Sequence, residues 1–222
     1  MSLTQKRNDV SEKITSKYIE WKGAAGKFQY YDKETAANVE LKMPCNFVVL
    51  DSLTTIKGFD EKNMCAVFSN EIHSLKDEKL IVQSFKGGFQ TEGFYSEIKP
   101  KMKDRGWKYC QSVYAYDIDN KEIINFQMFG SAIGAWIEFN GDHVIQESIV
   151  AITGEKEEAK KGSVKYFTPK FTASKIDKKT FDAACLKDEE LQKYLSSKKE
   201  VTEAEAVFHE PKTEVSVEDL PF

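Results

Sequence analysis

Lys99, Lys101, Lys103, Arg105 and Lys108 place five cations within ten positions, interrupted by one acid, Asp104. Cations at this density can follow a phosphate backbone and release its counterions. Trp107 and Tyr109 adjoin them, and Tyr114 and Tyr116 lie farther along the same stretch. Aromatic rings stack on bases, at about 1–3 kcal/mol per base, with little regard to sequence. Lysines interleaved with aromatics are what gripping an unpaired polynucleotide requires. A solvated basic loop leading into an ordinary core strand has the same composition, so both readings stay open on these residues alone.

If residues 107–116 form a strand, alternation divides them between two faces. Trp107, Tyr109, Gln111, Val113 and Ala115 share one; Lys108, Cys110, Ser112, Tyr114 and Tyr116 share the other. The second set carries hydroxyls and an ammonium group, so Lys108, Tyr114 and Tyr116 are expected to meet a ligand. Trp107, at the mouth of the strand, is a further candidate, with core burial as its alternative. Phe85-Lys86-Gly87-Gly88-Phe89 would set Lys86 and Phe89 at a hairpin tip, where glycines let a backbone approach. Lys165, Phe167 and Lys170 could lengthen the same surface. A plain turn and a solvated strand face are the competing readings of these two patches.

Constellations for catalysis are sparse. Asp117 and Asp119 could hold a metal for nuclease chemistry, but two acids without a third or a positioned base are weak for that purpose. Asp and Asn also suit turns, which accounts for both positions. His73, His143 and His209 are scattered, as are Cys45, Cys65, Cys110 and Cys185, with no Cys-x-x-Cys pair. Reduced, buried thiols are expected, with no catalytic residue, metal or cofactor. Gly23-Ala24-Ala25-Gly26 has the wrong spacing for a phosphate loop.

The elements that must position these residues are mostly short strands. Strands are expected at 14–22, 27–31, 39–43, 47–57, 64–68, 80–85, 89–94, 107–116 and 122–129, the last with Ile124, Phe126 and Met128 on one face. Residues 144–153 and 163–172 should form a hairpin across the charged segment 154–162. Pro100 argues against a long regular helix over 96–105. Residues 130–139 fit a helix with Ile133, Trp136 and Ile137 in one stripe, suited to plugging a barrel end. Residues 176–197 fit an amphipathic helix with Phe181, Cys185, Leu191, Tyr194 and Leu195 near one side. Many short strands, glycine turns and two helices predict a mainly β fold built on a small barrel with extra hairpins.

Charge is unevenly distributed. From Glu200 onward seven acids face one lysine, six net negative charges, while the whole chain carries −4. Residues 1–199 are therefore net basic by two. Such an acidic, weakly apolar run is expected to be disordered. It nevertheless ends in an apolar plug, Leu220-Pro221-Phe222, preceded by Glu218-Asp219. An acidic leash with an apolar tip has the chemistry of a docking peptide, its tip filling a pocket and its carboxylates meeting a basic rim.

This ending resembles the C-terminus of bacterial and phage single-stranded DNA-binding proteins, where a run of Asp precedes Ile or Leu and then Pro-Phe. The block from Lys161 to Phe171 also resembles a segment of some phage members, a Gly-x-Val strand leading through an aromatic to Pro-x-Phe. The likeness covers these two short stretches. It implies an oligonucleotide-binding (OB) barrel over residues 14–175, after a flexible arm at 1–13 and before a helix at 176–199 and a disordered tail at 200–222. It implies a protein without catalytic activity that coats single-stranded DNA. Asp219, Leu220, Pro221 and Phe222 would recruit replication or recombination proteins, and the acidic tail could compete with DNA for the basic surface. Lys86, Phe89, Lys99, Lys101, Lys103, Arg105, Trp107, Lys108, Tyr114, Tyr116, Lys165, Phe167 and Lys170 form the expected DNA-binding set. The N-terminal residues lack an apolar signal core, and no apolar run reaches membrane-spanning length. The cytoplasm of a bacterial cell or phage-infected host is the expected compartment, with oligomeric state left open. The alternatives are a small metal-dependent nuclease and a β-barrel interaction module that binds no nucleic acid.

Overall fold

A computed structural model describes residues 14–61, 64–86 and 88–207, the last nine as backbone only. The arm at 1–13 and the docking residues Asp219, Leu220, Pro221 and Phe222 lie outside the described residues. Within them the fold is mainly β.

The organising strand is β4 (Cys45–Asp60), sixteen residues long. Its Val, Ile, Leu, Phe and Thr side chains favour a pleated, buried surface. β8 (Trp107–Asp117) pairs antiparallel along one edge, from Phe47 to Gly58. The other edge is shared: β10 (Ser148–Ile152) takes residues 45–47, and β5 (Cys65–Ser69) takes 57–60. The β4–β8 register slips between Val49 and Asp51, an irregularity of the kind that bends a strand and increases its twist. At the far end Gly58 allows the close crossing, since a Cβ there would lie 2.4 Å from the Gly106 carbonyl oxygen.

Outward from β8 come β9 (Glu122–Met128), then β1 (Tyr18–Lys22) parallel to it, β2 (Lys27–Asp32) and β3 (Ala37–Glu40). Outward from β5 come β6 (Leu80–Ser84) and β7 (Gly88–Gly93). Among the described residues β3 and β7 end this path without pairing with each other, so the sheet is not closed into the small barrel expected from the short strands. β4 is long enough to give two partners room on one edge, so the sheet branches there: β13 (Thr172–Lys175) pairs with β10 beside it.

One face of β8 buries Val113 and Ala115 in a core with Ile19, Phe28, Phe47, Ile124, Phe126 and Met128. This is the alternation expected for 124, 126 and 128. Farther along, Trp107 enters a second core with Ile56, Val67, Leu80 and Val82. α2 (Ser131–Asp142) caps the first core with Ala132, Trp136 and Phe139. Their i, i+4, i+7 spacing makes one stripe. Ile137, expected in that stripe, is turned to solvent instead.

A short helix, α1 (Tyr95–Met102), contains Pro100 and gives way to a turn of 3-10 helix after eight residues, in keeping with the expectation of no long regular helix there. Ile98 and Met102 anchor it in the second core, and Glu97 accepts the Phe94 N–H at 2.8 Å. Two further expectations are corrected. Segment 154–162 is not a simple connection. β11 (Lys156–Lys161) and β12 (Val164–Pro169) pair as a separate two-stranded sheet, leaving β10 to β13. Alternating side chains let even a charged run form an exposed hairpin. Finally α3 (Lys178–Val207) runs eight residues into the stretch expected to be disordered, where Glu and Ala are good helix formers. Its buried side is Ala184 and Leu191 with Tyr194 and Leu195, while Phe181 and Cys185 are exposed. Cys185 therefore departs from the expectation of buried thiols, which Cys45, Cys65 and Cys110 meet.

Candidate functional site

Residues paired across adjacent strands share a face of the sheet. Lys57 is opposite both Lys108 and Phe68. Phe59, two residues on from Lys57, joins them. Phe68 is opposite Gln83, which is opposite Phe89. Tyr18 and Glu20 of β1 align with Asn125 and Gln127 of β9, which pair with Tyr114 and Ser112 of β8. All of these lie on the face turned away from the two cores, here called the outer face.

Several large rings remain uncovered on it. Phe85 is 77% exposed, Phe59 48%, Phe89 45% and Tyr18 36%. Phe85 packs on Phe68 with ring centroids 5.0 Å apart. Cations stand between the rings. The Lys57 ammonium donates to Gln127 Oε1 and sits 5.7 Å from the Tyr18 ring centre. Lys108 is exposed, 5.9 Å from the Phe129 ring. Burial pushes the Lys57 ammonium below its ordinary pKa, so an incoming anion would relieve a desolvated charge.

α3 covers another part of this face. Leu191, Tyr194 and Leu195 pack on Leu53, Tyr114 and Ile123, and Ala184 packs on Val48 and Tyr116. Beneath the helix runs a chain of polar groups. Gln127 donates to Asn125 Oδ1 at 3.0 Å, and Asn125 donates to Ser112 Oγ at 2.7 Å. Ser112 donates to Glu71 Oε1 at 2.5 Å, and the Tyr114 hydroxyl donates to Glu71 Oε2 at 2.8 Å. Lys198 of α3 closes the chain, its Nζ 2.8 Å from Glu71 Oε2. Burial by itself would raise the Glu71 carboxyl. Lys198 and the hydrogen bonds from Lys198, Ser112 and Tyr114 outweigh it and hold the carboxyl below its ordinary range. Burial, then the neighbouring carboxylate, pushes the Tyr114 phenol up.

The expected site residues are thereby divided. Lys108 and Phe89 lie on the open part of the outer face, and Lys86 is exposed at the β6–β7 turn beside them. Tyr114 and Tyr116 occupy the outer face, as their alternation requires, but α3 buries them to 1% and 6% exposure. Neither ring can stack on a base in this arrangement, which corrects the expectation that both meet a ligand. Trp107 is also a core residue, 4% exposed, with the Arg105 guanidinium 5.1 Å from its ring centre. Lys99 and Lys101 ride on α1, with Lys103 and Arg105 in the turn of 3-10 helix that follows. All four are exposed, yet α1 packs on the core face, so the sheet separates them from Lys108. Lys165 pairs with Glu158 at 3.1 Å and Lys170 is exposed. Phe167 is a joint between elements. Its carbonyl accepts Trp21 Nε1–H at 3.0 Å and the Ser131 hydroxyl at 2.7 Å, and its ring lies 4.8 Å from Lys156 Nζ.

Asp117 serves its turn, as its sequence context suggests. One of its oxygens accepts the N–H groups of Asp119 and Asn120 at 3.0 and 3.1 Å, and the other accepts Asn120 Nδ2–H at 2.7 Å.

Tyr18, Lys57, Phe59, Phe68 and Phe85 belong to the open outer face and were missed in the expected set. Lys57 and Phe59 sit two apart on a run otherwise rich in Val, Ile and Leu, which is the one signal that could have found them. No protein-family model matches the chain, nor does any curated protein or solved structure.

Proposed function

We propose that the protein binds single-stranded DNA along the open outer face of its sheet, largely regardless of sequence. The observation that supports this is the co-facial set of Tyr18, Phe59, Phe68, Phe85 and Phe89 with Lys57 and Lys108. Exposed rings offer stacking platforms and the lysines offer phosphate contacts, the two components of sequence-tolerant single-strand binding. The face extends from β1 to β7, six strand spacings of about 4.8 Å each. The oligonucleotide-binding type of fold belongs to the same proposal, in an open form: it rests on the resemblance, with β4 shared between two arms of the sheet.

Anisotropy of a labelled oligo-dT tests the reading. With Lys57, Lys86 and Lys108 as the phosphate contacts, log affinity is expected to fall with log salt at a slope of about −2. Duplex of equal length is expected to bind more weakly, since its bases are not free to stack. Digestion of the strand with magnesium or manganese would favour the nuclease alternative instead. An absence of binding at low salt would favour an interaction module whose exposed rings meet protein.

The tail completes the proposal by resemblance, with Asp219, Leu220, Pro221 and Phe222 recruiting replication or recombination proteins. Lys198 lies on Glu71 and within electrostatic reach of Tyr18, so the acidic run after it starts beside the outer face. Removing residues 200–222 is expected to tighten oligo-dT binding at low salt and to abolish partner recruitment. Unchanged behaviour in both assays removes the tail's role.

A further inference from the structure

At its β1–β2 end the outer face meets a cavity of about 470 Å³, within the ordinary size of small-ligand sites. Tyr18, Tyr31, Lys17 and Lys33 are among the residues that line it. The register that pairs Ile19 with Tyr30 sets Tyr18 opposite Tyr31, so the two phenol rings stand on one face as cross-strand neighbours. Tyr31 is 59% exposed. Tyr18 is the ring that Lys57 approaches, which joins this cavity to the rest of the open face.

The charged groups divide by role. Lys17 is held in an ion pair with Glu122, whereas Lys33 is exposed in the turn after β2. That turn is fixed by Asp32, which accepts the Glu34 N–H at 3.0 Å and the Thr35 hydroxyl at 2.9 Å. Those bonds hold the Asp32 carboxyl below its ordinary pKa, so it is charged. Asp32 and Glu34 line the cavity too and disfavour a phosphate inside it. The group suited to enter is a planar base, with its phosphate left outside near Lys33.

We infer that this cavity receives the base of one further unpaired nucleotide, stacked on Tyr18 and Tyr31, at one end of the strand held on the outer face. The inference rests on the single-strand reading and deepens it: it adds a nucleotide to the footprint and gives the bound strand a terminus of fixed location.

The test uses the full chain with oligo-dT strands of increasing length that carry 2-aminopurine at the 5′ or the 3′ end. Stacking is expected to quench the fluorophore at one end only, once the strand is long enough to reach the cavity. Tyr31→Ala should abolish that quench and weaken long strands by at least about fivefold, the low end for one stacked base. It should leave shorter strands and the melting temperature unchanged. Lys33→Ala should reduce the salt slope for long strands by about 0.7, the loss of one phosphate contact. If wild type binds oligo-dT but Tyr31→Ala leaves both the quench and the length dependence intact, the cavity holds no base. If wild type binds no oligo-dT at any length, the single-strand reading fails and the cavity inference fails with it.

Discussion

On the proposed outer-face reading, replacing Phe59 and Phe85 together by alanine is expected to weaken binding to oligo-dT by at least about thirtyfold. Each exposed ring can stack one base, and a stacked base is worth about 1–3 kcal/mol. Losing two removes about 2–6 kcal/mol, and every 1.4 kcal/mol is tenfold in affinity. Stability should barely respond. Phe85 is 77% exposed and touches Phe68, and Phe59 is about half exposed, so little buried area is lost. The expected change in melting temperature is no more than about 4 °C, what 1 kcal/mol produces in a chain of this size. The comparison variant removes the charges of Lys99, Lys101, Lys103 and Arg105, which ride on the opposite side of the sheet. It should change affinity less than the double phenylalanine variant does, through long-range field alone. The reverse order, with the basic run decisive and the rings neutral, moves the interface to the α1 side and sinks the outer-face assignment.

That comparison separates what the sequence makes legible from what it hides. Alternation along β9 is legible because Ile124, Phe126 and Met128 are all apolar and all face one core. The two-faced character of β8 is legible too, since odd and even positions differ in polarity. What covers the even face is not. Tyr114 and Tyr116 read as exposed because a hydroxyl at each ring is compatible with water. Their actual neighbours come from α3, some seventy positions onward, and from Glu71. Nothing local in residues 107–116 encodes that helix.

The same physics explains the scattered aromatics. Phe59, Phe68 and Phe85 sit on three consecutive segments whose register brings them together. In the sequence Phe59 and Phe85 are isolated hydrophobes and Phe68 ends a short apolar run, and residues of either kind read as core. Density in the chain favoured residues 99–108 as the site, whereas density in space depends on which face each side chain takes. A helix packed on Ile56 and Trp107 carries its lysines to the core side of the sheet, however closely Lys108 follows them in sequence.

Tyr114→Ala is the substitution expected to cost most stability. It removes a ring 1% exposed from between Leu53, Ile123 and Leu191. Truncating a buried aromatic costs about 3–5 kcal/mol, or roughly 6–20 °C in melting temperature for a chain of this length. Soluble mutant should still bind oligo-dT normally, because the ring lies under α3 and not on the open face. A mutant that melts like wild type but binds weakly would return Tyr114 to the interface. Tyr114→Phe keeps the ring and removes only the hydrogen bond to Glu71, so it should cost about 1.5–3 kcal/mol, the range for bonds to charged groups.

The pH dependence follows from the same carboxylate. Glu71 has a folded pKa below its ordinary 4.5, so its contribution is complete above 4.5 and is lost as pH falls through the folded value. Lys198 is shifted the other way: burial lowers it, Glu71 outweighs that, and the folded pKa ends above 10.5. Its contribution is complete below 10.5 and is lost only as pH rises past the folded value, a smaller effect because its side chain is 43% exposed. Stability measured by denaturant titration should therefore hold a plateau from 4.5 through neutral pH and fall on the acid side; on the alkaline side the buried Cys45 and Cys110 thiols and the Tyr114 phenol, all pushed up by burial, end the plateau before Lys198 does. Glu71→Gln should lower the plateau and flatten the acid limb, since the neutral amide has no proton to gain. If the acid limbs of wild type and Glu71→Gln coincide, the helix is held to the sheet by its apolar contacts, and the buried carboxylate contributes nothing that depends on charge.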